Sequence, residues 1–157
     1  MKAAHGTAAL LPAEQLSAHW ARMHENAAFA FSAGEAHYLR TLAMALDDDL
    51  VALLLLKKLR MATEREAAEL PHDVVAMNSL VRFTFGGDEC AGRLSHPSCC
   101  GPGSLSIASR AGAGLVGMRR GQTVLWPDTR EALRPLRVDA VECMPSQKPK
   151  HLHERIR

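Results

Sequence analysis

The chain of 157 residues lacks a long apolar run. Its longest uninterrupted apolar stretch is Leu50 to Leu56, far short of the roughly 20 residues that cross a bilayer as a helix. The first residues, Met1 to Leu11, lack the sustained apolar segment of a secretory signal. We therefore expect a cytoplasmic protein with no membrane partner.

A strong excess of charge of one sign is also missing. Nineteen basic residues stand against seventeen acidic ones, which gives a formal net charge of +2. A net charge this small is too weak to indicate nucleic-acid binding by charge alone. The balance favours a protein partner, and we expect no sequence-specific binding of DNA.

Cysteine is scarce, with four residues at Cys90, Cys99, Cys100 and Cys143. Adjacent cysteines rarely serve a disulfide framework, so free thiols are expected. With His96, the first three are candidate zinc ligands, because thiolate and imidazole both bind that metal, but no Cys-x-x-Cys pair is present. The sequence therefore predicts no metal site and no cofactor, and a thiol or metal protein remains the alternative from another class.

Motifs of catalysis and nucleotide binding are absent. The chain contains neither a Gly-x-Ser-x-Gly nucleophile turn nor a Gly-x-x-x-x-Gly-Lys phosphate loop. Few aromatic residues, at 4% of the chain, are available to line a pocket. We expect a binding protein and not an enzyme.

Glycine is rare before Pro71 and frequent after it. Alanine, leucine and glutamate dominate the first part, whereas valine, glycine and alternating patterns follow. The change predicts a helical region at residues 1–70 and a mixed domain at residues 71–145. A basic tail at residues 146–157 has little to bury.

The spacing of apolar residues in the helical region predicts an antiparallel helical hairpin, that is, a short coiled coil. Pro12 can open the first helix, and the apolar residues of each predicted helix recur at helical or heptad spacing. These are Leu16, Trp20, Met23, Ala27 and Ala30 in the first helix, and Leu39, Leu42, Leu46, Leu53 and Leu56 in the second. A turn at Ser32 to Gly34 joins the two. Alternatively, the second helix restarts at Asp47 to Asp49, because aspartate is a good N-cap.

Alternation predicts strands in the second region. A hairpin turns at Gly86 to Asp88, where glycine supplies positive backbone angles. Ser109 can cap a glycine-rich helix that ends at Gly121. The predicted strands are Ser79 to Phe85, Cys90 to His96, Leu105 to Ala108, Thr123 to Trp126 and Leu136 to Cys143. The fold class is therefore α+β.

Two blocks of the sequence resemble the C-terminal domain of the GreA/GreB elongation-factor family. The first is Leu-Pro-His-Asp-Val-Val-Ala-Met-Asn-Ser at residues 70–79, followed by Val-Arg-Phe at 81–83. The second is Leu-Ser-Ile-Ala-Ser-Arg-Ala-Gly at 105–112, with Leu115, Gly117 and Gly121-Gln122 after it. Together they cover about half of the chain, and the likeness is closest to the Rnk branch of the family.

This resemblance implies an FKBP-like C-terminal domain, an antiparallel sheet with one helix, beside a coiled coil directed at the secondary channel of RNA polymerase. The family commonly docks through a Ser-Pro-x-Gly turn, to which Ser109, Arg110, Ala111 and Gly112 correspond. Ser109, Arg110 and Gly112 are thus the candidate docking residues, and Arg110 replaces the usual proline.

The resemblance also assigns a role to acidic residues at the hairpin tip, which in cleavage factors help to hold the polymerase Mg²⁺. The candidates in this chain are Glu25, Glu35, Asp47, Asp48 and Asp49. A hairpin whose shorter arm has about 20 residues reaches roughly 30 Å, which is short for a recessed centre. We therefore expect competition for the channel, with a transcript-cleavage factor as the alternative. The oligomeric state stays open.

Overall fold

The computed structural model describes residues 12–99, 101–130 and 132–142. Residues 12–69 contain three short helices, two short parallel strands and one turn of 3₁₀ helix. In chain order they are α1 (Ala13–Met23), β1 (Ala30–Ser32), α2 (Ala33–Ala45), α3 (Asp49–Met61), β2 (Thr63–Arg65) and the 3₁₀ turn Ala67–Glu69. The predicted basic tail and the first eleven residues lie outside the described residues.

The prediction of one long second helix is wrong. Leu46 is extended, with φ −73° and ψ 139°, and the Asp48 carboxylate accepts a hydrogen bond from the Val51 amide at 3.2 Å. An aspartate that caps new amides begins a helix, so the alternative of a restart in the aspartate run is confirmed. The first helix also ends at Met23 and does not reach Ala30. Three short helices thus replace the two long arms of the predicted hairpin.

The second part is a five-stranded sheet with one short helix, which confirms the α+β class. Its strand order is β5-β4-β3-β7-β6. The elements are β3 (Leu80–Phe85), β4 (Asp88–Ser95), a 3₁₀ turn (Pro97–Cys99), β5 (Ser104–Ser106), α4 (Arg110–Leu115), β6 (Thr123–Pro127) and β7 (Leu133–Glu142). The predicted glycine turn is present, with φ values of 60° at Gly86 and 94° at Gly87.

The sheet is mixed, whereas an antiparallel one was predicted. Strand β5 pairs in parallel with β4, and Arg93 lies opposite Ser104. After β4 the chain doubles back through the 3₁₀ turn and through Gly103, whose φ is 78°. The backbone therefore re-enters the sheet in the same direction as the strand it left.

Helix α4 ends at Leu115, six residues before the predicted end at Gly121. Gly117 has a φ of 87°, a conformation outside the helix that glycine adopts at no steric cost. Its amide donates to the Val75 carbonyl and its carbonyl accepts from the Ala30 amide. The backbone at Gly117 therefore departs from the helix and forms hydrogen bonds with both β1 and the segment before β3.

One hydrophobic core runs through both parts of the chain. Trp20 and Trp126 meet edge to face with ring centroids 5.8 Å apart, and Trp20 stacks on Phe29. Such aromatic pairs contribute beyond their buried area. Trp20 also donates from its indole N–H to the Leu125 carbonyl, so α1 is fixed on β6.

Within the described residues, no helix is long and apolar enough to cross a membrane.

Candidate functional site

The predicted docking turn is built at the start of α4. The Ser109 hydroxyl accepts from the Gly112 amide at 3.0 Å and donates to the Ser106 carbonyl at 2.6 Å, which confirms Ser109 as the N-cap. A Cβ added to Gly112 would lie 2.0 Å from that same carbonyl oxygen. Ser109 and Gly112 therefore shape the turn, and glycine is required at its end.

Arg110 provides the long side chain of this turn. Its Nε donates to Asp48 Oδ2 at 2.8 Å, and its guanidinium also donates to the Asp128 backbone carbonyl. The side chain retains 21% of its exposure. Arg110 is thus held in place by two contacts, and its side chain is partly exposed.

The pair of Asp48 and Arg110 joins two sites that the sequence predicted separately. Asp48 was a candidate tip residue, and Arg110 was a candidate docking residue. The structure places the α2–α3 junction against the first residue of α4. The aspartate run therefore lies where α2 and α3 meet the start of α4 and not at the end of a projecting arm.

The other acidic candidates are not brought together with Asp48 into one cluster. Asp47 and Asp49 are exposed beside Asp48, and Glu25 is exposed in the turn after α1. No group of three or more His, Cys, Asp or Glu side chains that could hold a metal ion exists in residues 12–99, 101–130 and 132–142. The five acidic residues thus form no common metal site there.

Glu35 is half-buried at the start of α2, where its Oε2 accepts from the Met77 amide at 2.9 Å. Its Oε1 is buried and has no partner within the described residues. Burial raises the pKa of this carboxyl above its ordinary value, although the bond from Met77 opposes that shift. Glu35 therefore links α2 to the segment before β3 and keeps one oxygen unsatisfied.

The described candidates for a thiol or metal site lie on β4 and in the turn after it. Cys90 lies on the exposed end of β4 and Cys99 in the following 3₁₀ turn. His96 Nδ1 lies 2.9 Å from the Tyr38 hydroxyl, and Cys100 lies outside the described residues. Burial raises the pKa of Tyr38, with a smaller contribution from Cys99. Cys90, His96 and Cys99 therefore do not form a metal-binding group within the described residues.

Lys58 is a buried residue that sequence reasoning missed. Its ammonium donates to the carbonyls of Ala113 at 3.0 Å and Gly114 at 2.7 Å. It also lies 5.3 Å from the ring centroids of Phe29 and Trp126. Burial holds the pKa of Lys58 well below its ordinary value. Its position four residues after Leu54, on the apolar stripe of α3, was the signal available in the sequence.

His24 is a second buried residue that sequence reasoning missed. Its Nε2 accepts from the Leu125 amide at 3.0 Å, which leaves Nδ1 to donate to the Trp20 carbonyl at 2.8 Å. Burial lowers the pKa of His24 below its ordinary value. The neutral ring therefore closes α1 and holds it against β6.

No protein-family model matches the chain, and no curated protein matches it significantly by sequence. Among solved structures, the chain is similar to a prokaryotic transcription elongation factor GreA/GreB from Nitrosomonas europaea. The two are 26% identical with a TM-score of 0.57, over 73% of this chain and 97% of that one. It also matches GreA factor homologue 1 of Thermus thermophilus at 18% identity and a TM-score of 0.38, over 73% and 98% of the two chains. The corresponding protein of Thermus aquaticus matches at 16% identity with the same TM-score, over 73% and 97%.

Proposed function

Because this chain shares the fold of the GreA/GreB transcription elongation factors, as its sequence motifs predicted, we propose that it is an RNA polymerase-binding transcription regulator of the Rnk type. It docks at the rim of the secondary channel, in the cytoplasm, and excludes other channel factors. Coverage of 97% of the Nitrosomonas europaea chain is the observation that carries this proposal, since the likeness is not confined to one domain.

The sheet with α4 corresponds in this proposal to the FKBP-like docking domain of the family. Two features support that role: the second sequence block falls on β5 and α4, and its serine caps the helix. The partly exposed side chain of Arg110 then supplies an ionic contact where the family commonly has proline.

Competition, not transcript cleavage, is the mechanism we propose. A cleavage factor must carry its carboxylates to the polymerase metal, and carboxylates bind a metal together only when they converge. In this chain the Asp48 carboxylate pairs with Arg110, and the half-buried Glu35 carboxylate accepts from the Met77 amide. Both carboxylates are thus engaged within the chain.

The test is binding of the full chain to core RNA polymerase, with and without an excess of a GreA-type competitor. We compare wild type with Arg110→Ala and with Asp48→Asn. The asparagine variant is the matched control, because asparagine still caps α3 and the change breaks the ion pair without removing the guanidinium. We expect saturable binding that the competitor displaces, a loss of at least about tenfold in affinity for Arg110→Ala, and no loss for Asp48→Asn.

Equal weakening by both variants would show that the ion pair acts only on the fold and would remove Arg110 from the docking surface. Absence of any binding at micromolar concentration would overturn the polymerase proposal. A cleavage assay on stalled elongation complexes tests the mechanism: we expect no shortened transcripts from wild type. Shortened transcripts that disappear in a variant with the Asp47 to Asp49 group replaced would establish cleavage in its place.

A further inference from the structure

Strand β6 lies at one end of the strand order, so only β7 pairs with it within the described residues. Leu125, in the middle of β6, lies opposite Pro135 of β7, and proline has no backbone N–H. Both backbone groups of Leu125 form hydrogen bonds with side chains at the end of α1. A bare strand edge would present such groups to other chains, so α1 covers a part of the sheet that needs a partner.

Two aromatic side chains cover this edge. The indole N–H of Trp20 donates to the Leu125 carbonyl, and Nε2 of His24 accepts from the Leu125 amide at 3.0 Å. The two rings stack with centroids 4.4 Å apart, and both residues are buried. One donor and one acceptor thus lie where a neighbouring strand would place its own backbone groups. We call the group of Trp20, His24 and Leu125 the edge contact.

The edge contact requires a neutral imidazole at His24. The Leu125 amide can only donate, so Nε2 carries no proton, and Nδ1 is the nitrogen that donates to the Trp20 carbonyl at 2.8 Å. A protonated imidazole carries a hydrogen on both nitrogens. Its Nε2–H would then face the N–H of Leu125, and the two donors would repel each other. Protonation therefore breaks the bond to β6 and leaves a backbone amide without an acceptor, which is costly.

No carboxylate offsets the charge of a protonated His24 within the described residues, because its ring bonds only to backbone groups there. β6 carries no ionisable side chain. The ionisable side chains of α1 and of the turn after it are exposed: Glu14, His19, Arg22 and Glu25. Lys58 of α3 packs over the ring of Trp126, which meets Trp20 edge to face. A charge on that lysine has the same sign, so it opposes protonation of the histidine.

We propose that the edge contact is a pH-sensitive latch, in which protonation of His24 releases the end of α1 from β6 and uncovers the backbone groups of Leu125. Burial lowers the pKa of His24 in the closed state below the ordinary value of 6.5. In the open state the imidazole is solvated and has its ordinary pKa, so that state binds the proton more readily. Opening is therefore favoured as the pH falls from the ordinary pKa toward the lowered one.

Release at the edge contact leaves the rest of the sheet in place. The pairs that β3 forms with β4 and with β7 involve no group of α1. The uncovered edge of β6 is then a template for pairing with another strand. The latch is separate from the docking turn and does not depend on the proposed function.

The test measures hydrogen exchange of single backbone amides in the full chain by NMR, at about pH 7 and about pH 5. The Leu125 amide reports the edge contact, because its acceptor is His24. The Phe83 amide, in the central strand β3, reports opening of the whole sheet. After correction for the intrinsic exchange rate at each pH, the protection of Leu125 should fall at least about fivefold in acid. The protection of Phe83 should fall by a clearly smaller factor.

Two glutamine variants separate the latch from other effects of acid. In His24→Gln the side-chain carbonyl can accept from the Leu125 amide but does not titrate. The protection of Leu125 in this variant should therefore differ by less than about twofold between the two pH values. His19→Gln is the matched control, since it removes an exposed histidine from the same helix. It should keep the pH response of wild type.

Equal falls at Leu125 and Phe83 would overturn the proposal, because acid would then open the whole sheet. No fall in wild type, or the same fall in His24→Gln, would do the same. If His24→Gln fails to fold, the imidazole signals of wild type decide the question together with the selective fall at Leu125. The His24 ring should titrate at lower pH than the ring of His19, and titration of both at the same pH would refute the latch.

Discussion

At the scale of single residues, the glycines of this chain have unequal roles. Gly112 lies against a backbone carbonyl that leaves no room for a side chain, whereas Gly34, in the first turn of α2, has no other atom near the place of a Cβ. The same residue type is thus required at one helix start and dispensable at another.

We expect Gly112→Ala to lower the free energy of unfolding by at least about 2 kcal/mol, because the methyl group forces α4 away from Ser106. Gly34→Ala should raise it by about 0.5–1 kcal/mol, since alanine restricts the unfolded chain and suits a helix. Urea unfolding of the two variants measures both effects. A neutral Gly112→Ala would mean that α4 can shift away from the sheet freely.

At the scale of elements, the break between α2 and α3 is set by one aspartate. Asp48 caps α3 through Val51 and pairs with Arg110, so a single carboxylate both begins a helix and fixes it on the sheet domain. Its neighbour Asp47 is exposed. Of these two adjacent aspartates, we therefore expect only Asp48 to stabilise the fold through its side chain.

Asp48→Ala should lower the free energy of unfolding by about 1–2 kcal/mol, since it removes the cap. Asp48→Asn should lower it by less than about 1 kcal/mol, because asparagine keeps the cap and loses only a partly exposed ion pair. Asp47→Ala is the control and should remain within about 0.5 kcal/mol of wild type. Chemical denaturation compares the three. Equal losses in both Asp48 variants would assign the stabilisation to the ion pair.

At the scale of the whole molecule, Lys58 links α3, in the first part of the chain, to α4 in the second. The ammonium is fully buried between Phe29, Trp126 and the last carbonyls of α4. Burial lowers its pKa in the folded protein, so the unfolded chain binds more protons between that lowered value and about 10.4. Stability should therefore rise with pH across this interval.

The variant Lys58→Met removes the titrating group, so its stability should not rise with pH in this way. The free energy of unfolding of wild type should therefore increase relative to that of the variant from about pH 7 to about pH 10. Urea unfolding followed by tryptophan fluorescence and far-ultraviolet circular dichroism measures it. Lys57→Met, at the half-buried neighbouring position, should retain the wild-type slope. Parallel pH profiles for wild type and Lys58→Met would refute the account.

The two signals should also change together, because Trp20 and Trp126 lie in a core that both parts share. Two separate transitions would instead support independent domains at residues 1–70 and 71–145. That division remains a prediction from the change in composition.

The sequence by itself determined the elements whose signals are local. The alternation of Val81 and Phe83, the glycine pair at 86 and 87, and the capping serine at 109 each act within a few residues, and each is present as predicted. The family resemblance rests on two sequence blocks, which contain Val81, Phe83 and Ser109, and it is confirmed by the structural match.

Only the tertiary structure decided which distant residues meet. Asp48 pairs with Arg110 across 62 positions, and Lys58 bonds to Ala113 across 55. The spacing of apolar residues cannot predict contacts between residues so far apart in the sequence. It shows which face of an element is apolar but not which other element packs on that face. The predicted hairpin was wrong for local reasons as well: α1 ends at Met23, which is exposed, and α3 buries Leu54 and Leu55 in place of the predicted Leu53 and Leu56.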